Sequence, residues 1–85
     1  MAGPVTPEAI QAEILRQVAA RGAGRSICPS EVARALAPEG WRPLMAAVRR
    51  EAATLAGAGQ LDILRKGKPI APEAMRGVIR LGAKP

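Results

Sequence analysis

Histidine, tyrosine and phenylalanine are absent from this chain of 85 residues, and cysteine and tryptophan occur once each. One cysteine cannot form an internal disulfide, and a lone Cys without His removes almost every zinc arrangement, so no metal is expected. There is also no glycine-rich phosphate cradle between a strand and a helix, and the volume is too small for a closed pocket. Acid–base and nucleophilic constellations therefore cannot be assembled, and neither an enzyme nor a bound cofactor is expected. No apolar run reaches the ~18 residues that a membrane span needs. The start, MAGPVTPEAI, has no basic segment followed by an apolar run. The chain reads as cytoplasmic, with no membrane partner and no small-molecule substrate implied.

What is present is small and aliphatic. Leu, Ile and Val supply 18 residues and Ala another 18, with Trp41 the only aromatic. A core of this kind relies on close approach of small side chains, which favours helices, and the length suits one domain with a modest core.

The charge is +6, and it is regional. Residues 1–40 carry Arg16, Arg21, Arg25 and Arg34 against Glu8, Glu13, Glu31 and Glu39. Residues 41–85 carry nine cations against Glu51, Asp62 and Glu73, which is the whole excess. A polyanion is the natural partner of so lopsided a surface, and nucleic acid comes ahead of a membrane because no basic amphipathic helix with large apolar anchors is present.

Breakers divide the chain into five elements. Thr6 can cap a helix with Pro7 at its first position and Glu8 near its positive end; Ile10, Ile14, Leu15 and Val18 form its apolar stripe, and Gly22 and Gly24 end it. Ile27 is extended. A short helix follows from Pro29, with Val32, Ala33 and Leu36 inward, until Pro38. A third helix starts at Pro43 and runs to Gly57, with Leu44, Val48, Ala52 and Leu55 on one face. Opposite them lie Ala46 and Ala53, flanked by Arg42, Arg49 and Arg50. LDILRK at 61–66 and GVIRL at 77–81 alternate as strands that can pair antiparallel, joined by a loop carrying Arg65, Lys66 and Lys68.

This order predicts an α+β fold, a winged helix-turn-helix of three helices followed by a two-stranded antiparallel hairpin, with room for a short extended segment before the second helix. One domain is expected over residues 6–82, with a disordered N-terminus at 1–5 and a tail at 83–85. The strings SICPSEVARALAPEGWRPLMAAVRREAATLAGAGQLDILRKGKPI and RGVIRL resemble an uncharacterised family of small bacterial proteins, a domain of unknown function of the winged-helix class. The resemblance spans residues 8 to 81, and its most specific blocks are CPSEVAR and WRPLM. It implies the fold and carries over no ligand, mechanism or site residue.

The function expected from the residues is binding of nucleic acid, double-stranded DNA ahead of RNA, in gene regulation or nucleoid association. Arg65, Lys66, Lys68 and Arg76 would meet the phosphate backbone, while Arg42, Arg49 and Arg50 would carry any base readout. Other features have structural explanations. Trp41 plugs the turn between the second and third helices, Cys28 is a small apolar residue at a cap, Glu31 answers the helix dipole, and Glu51 pairs with a neighbouring arginine. The alternative from a different class is a protein-interaction module, docking on an acidic partner or forming a homodimer through Met45, Leu64 and Ile70.

Overall fold

The computed structural model describes residues 5–85. Residues 1–4 of the segment expected to be disordered lie outside the described residues. Helix α1 spans Pro7–Arg21, β1 Ser26–Ile27, α2 Pro29–Leu36, α3 Met45–Gly57, β2 Asp62–Arg65, β3 Lys68–Ile70 and β4 Arg80–Gly82. Single 3-10 turns at Arg42–Leu44 and Pro72–Ala74 lead into α3 and follow β3.

The helices begin where local chemistry satisfies their free N–H groups. The Thr6 hydroxyl accepts the Ala9 N–H at 3.1 Å, with Pro7 in the first turn where its missing donor costs nothing. At α2 the Glu31 carboxylate reaches back to accept the Cys28 backbone N–H at 2.8 Å, half of the reciprocal arrangement that closes a helix start. It also pairs with Arg21 of α1 at 2.7 Å. The Cys28 hydrogen bond, aided by the Arg21 charge, holds the Glu31 carboxyl below its ordinary value of 4.5.

Ile10, Ile14 and Val18 of α1, Val32 and Ala33 of α2, and Val48, Ala52 and Leu55 of α3 are buried against Ile27, Leu61, Ile63, Ile79 and Leu81. Trp41 and Leu44 close the rim of this core, and the single buried charged residue among those described is Glu51. Its Oε1 accepts from Gln11 Nε2 of α1 at 2.7 Å, and Arg50 Nε lies 3.4 Å from Oε2. The acid is thus satisfied across the α1–α3 contact rather than by its neighbour alone.

The winged helix-turn-helix with one two-stranded hairpin is overturned. The sheet has four strands in the order β1-β4-β2-β3, all neighbours antiparallel. Residues 62–65 do lie antiparallel to 80–82, with Ile63 opposite Leu81, but they are not arms of one hairpin. Two local causes add the strands. Lys66 and Gly67 reverse the chain in two residues, so 68–70 folds straight back onto 62–65. Ile27, opposite Leu81, belongs to the inner face, which draws Ser26–Ile27 onto the far side of β4. Pro69 reads in sequence as a strand breaker but is tolerated here. A two-residue turn is closed by a hydrogen-bonded pair at Arg65 and Lys68, so Pro69 opposite Leu64 falls at a non-bonded position on the edge strand. Its ring costs the ladder nothing.

β4 ends on Gly82, which pairs with Ser26 on one side and Asp62 on the other. A Cβ there would lie 3.1 Å from Leu64 Cδ1 and 3.2 Å from the Arg25 carbonyl oxygen. Beyond it Ala83 packs partly on the core, and Lys84 Nζ lies 3.7 Å from Asp62 Oδ1. Among the described residues no helix is long and apolar enough to cross a membrane.

Gly82→Ala should lower stability by about 1–3 kcal/mol in urea denaturation, the usual cost of overpacking. An unchanged midpoint would mean that β1 yields freely. Glu31 has a depressed folded pKa, so its stabilisation is present above the unfolded value near 4.5 and is lost as pH falls through the folded value. Between neutral pH and pH 3, Glu31→Gln should therefore lose less stability than the wild-type chain does.

Candidate functional site

The loop that connects the strands is built from residues that work against local folding. Lys66 has φ 52° and Gly67 has φ 78°, the pair of positive values that a mirror-image two-residue turn requires to match strand twist. Gly67 takes this conformation without strain. A lysine does not: left-handed backbone costs a residue with a Cβ about 1–2 kcal/mol, and asparagine is the usual solution. Arg65 and Lys68 then face each other directly across the hairpin, a like-charge pair that is unfavourable by some tenths of a kcal/mol, up to about 1.

From β3 the chain does not run directly to β4. The 3-10 turn Pro72–Ala74 packs against α3, and Met75 adds to the core margin. Arg76 to Ile79 then swing back toward the hairpin. Between this return segment and the turn lies an open cleft of about 680 Å3, lined by Ser26, Leu64, Arg65, Lys66, Gly67 and residues 76–80. Four cations thus surround one concavity, with no carboxylate in its lining. On the other side of Arg65 and Arg76 a second hollow contains Glu73, which forms an ion pair with neither.

The structure therefore brings together Arg65, Lys66 and Arg76 from the expected phosphate contacts. Lys68 is exposed at the base of the same turn but does not line the cleft. Arg80 is an addition. Its Nε donates to Ser26 Oγ at 2.7 Å and its Nη2 to the Ser26 carbonyl at 2.9 Å, which fixes the guanidinium at the cleft wall. The alternation of strand residues places Val78 and Arg80 on the side opposite buried Ile79 and Leu81, and this was the available signal for it.

The groups expected to read bases lie elsewhere. Arg50 is exposed on α3 with its Nε near Glu51, and Arg49 is half-buried beside it. Ala46 is exposed and Ala53 half-buried on the same side of the helix. Arg42 sits over the Trp41 ring at 4.5 Å from its centre, and Arg34 of α2 lies at 4.3 Å from the same centre. Trp41 thus combines packing against the core with the anchoring of two cations. Arg34 could not have been found by spacing, because it meets Trp41 only through the turn after α2.

The cations fall into two sets. Arg16, Arg21, Arg50 and Lys84 have acidic partners, whereas Arg65, Lys66, Lys68 and Arg76, like Arg25, Arg34, Arg42, Arg49 and Arg80, form no ion pair among the described residues. Of the three apolar residues suggested for self-association, Met45 and Ile70 pack partly against the core, leaving Leu64 alone on the cleft side.

A family model described as "Protein of unknown function (DUF3253)" matches residues 7–84. A comparison with curated proteins finds no match.

Lys66→Asn should raise the unfolding free energy by about 1 kcal/mol, since asparagine accepts left-handed backbone more readily. In a domain of this size that is a rise of about 4–8 °C in Tm. An unchanged or lower Tm would show that Lys66 is not strained where it stands.

Proposed function

The chain belongs to a family of unknown function, DUF3253, and from its own surface we propose that it binds nucleic acid, with double-stranded DNA as the preferred polymer. The observation that carries this reading is the turn at 65–68. Charge is placed there against the needs of the fold: a lysine in left-handed backbone, and a lysine directly opposite an arginine. Asn at position 66 and an acid at 68 would make a better hairpin. A polyanion outside the protein supplies the missing compensation.

Binding on this reading is mainly electrostatic. Arg65, Lys66, Lys68 and Arg76 each displace condensed counterions when they meet phosphates, and the gain comes from ions released to bulk solvent. Arginines present forked donors that suit phosphate oxygens, while the lysines act as mobile point charges at the tip. Arg49 and Arg50 on α3 and Arg42 at its start would supply contacts to base edges, with Ala46 permitting close approach. Trp41 limits the freedom of Arg42 before binding, which lowers the entropy lost in a contact. A role as a small transcriptional regulator or nucleoid-associated protein fits this pattern of contacts.

Two measurements test the reading. Affinity for random duplex DNA, followed by fluorescence polarisation, should fall steeply with salt, and in Lys66→Asn/Lys68→Gln the slope of log K against log salt should be lower by about 2. Lys68→Glu should move two properties in opposite directions: a hairpin more stable by some tenths of a kcal/mol, because the like-charge pair becomes an ion pair, and a weaker complex with DNA. Absence of binding at low salt, or an unaltered slope in the double variant, would defeat the proposal.

A further inference from the structure

A polyanion accounts for the cations of the cleft but not for its apolar side, because a phosphate backbone offers little for aliphatic carbon to bury. Val78 is 88% exposed, and it shares this concavity with Leu64. A single exposed valine on an open surface needs no explanation. This one stands among Arg65, Lys66, Arg76 and Arg80 in a space of about 680 Å3, the size range of small-molecule sites. Arg80 is also preset. Two of its nitrogens are held by Ser26, and Nη1 has no partner among the described residues, so a donor of fixed orientation is available without further ordering.

We infer that the cleft is a binding site for a small organic anion, an alkyl body carrying one carboxylate or phosphate. The body lies against Leu64 and Val78, and the head group meets Arg80 and Arg76. Charge complementarity selects the anion, since no acid lines the site. The aliphatic lining selects a simple hydrocarbon body over a nucleobase, which would look for an aromatic surface to stack on; Trp41, the only aromatic, is not part of the cleft. This site does not depend on the nucleic-acid reading, because it requires no polymer.

Methyl-detected NMR on the free protein tests it. Octanoate and octyl phosphate are titrated as anions with a body, 1-octanol as the body alone, and inorganic phosphate as the head alone. The octyl anions should shift the Leu64 and Val78 methyl signals saturably and bind about ten-fold or more tightly than either fragment, and the better of the two identifies the head group. Val78→Asp, at an exposed position, should weaken them about ten-fold, and Arg76→Gln should weaken them without altering any core methyl signal. Octyl anions that bind no better than 1-octanol or phosphate, that shift methyls away from the cleft, or that bind both variants as they bind wild type would overturn the inference. Failure to bind DNA would leave it standing, and failure to bind octyl anions would leave the nucleic-acid reading standing.

Discussion

The Ser26 carbonyl accepts a hydrogen bond from each of two guanidinium groups, Arg21 of α1 and Arg80 of β4, both at 2.9 Å. Two cations on one oxygen repel each other, and the Glu31 carboxylate offsets that by pairing with Arg21 while it closes the start of α2. Charge-assisted bonds of this kind are stronger than neutral ones. They matter here because β1 is only two residues long and has little ladder of its own. The network holds β1 at the sheet edge, ties it to two helices, and fixes Arg80, which forms one wall of the cleft. Fold and site thus share one carbonyl.

The distribution of charge separates what supports folding from what does not. Glu13 pairs with Arg16, Glu31 with Arg21, Glu51 with Arg50 and Asp62 with Lys84. At the hairpin turn, Arg65 instead faces Lys68. A domain with a small aliphatic core has limited stability to spare. Retaining both a left-handed lysine and a directly opposed Arg65–Lys68 pair reduces that reserve.

Much of the helical part was legible in the residues. Thr6 before Pro7 marked the start of α1 and Gly22 its end; Pro29 with Glu31 marked α2, and the 3.6-residue spacing of Val48, Ala52 and Leu55 gave the buried side of α3. The sheet was harder. Two residues at β1 cannot display a period, and Pro69 argues against a strand unless its non-bonded edge position is already known. The expected strand at 77–81 was displaced to 80–82 because residues 76–79 are the return segment of the cleft. That detour depends on a 3-10 turn packing on α3, which leaves no periodic trace in sequence. The charge of Arg65, Lys66 and Arg76 was readable, but their meeting with Arg80 and Val78 around one concavity follows from the detour and was not.

Pro69 has a consequence beyond its tolerance in the ladder. On a three-residue edge strand next to a two-residue turn, the middle residue alone directs its backbone groups to open solvent, and here that residue has no N–H to offer. A second chain seeking to extend the sheet by templating would meet a rim with an acceptor, no donor, and a lysine beside it. The opposite rim is only two residues long and is braced by arginine. Concentrated solutions should therefore resist cross-β polymerisation, leaving the molecule free to keep its charged turn uncovered.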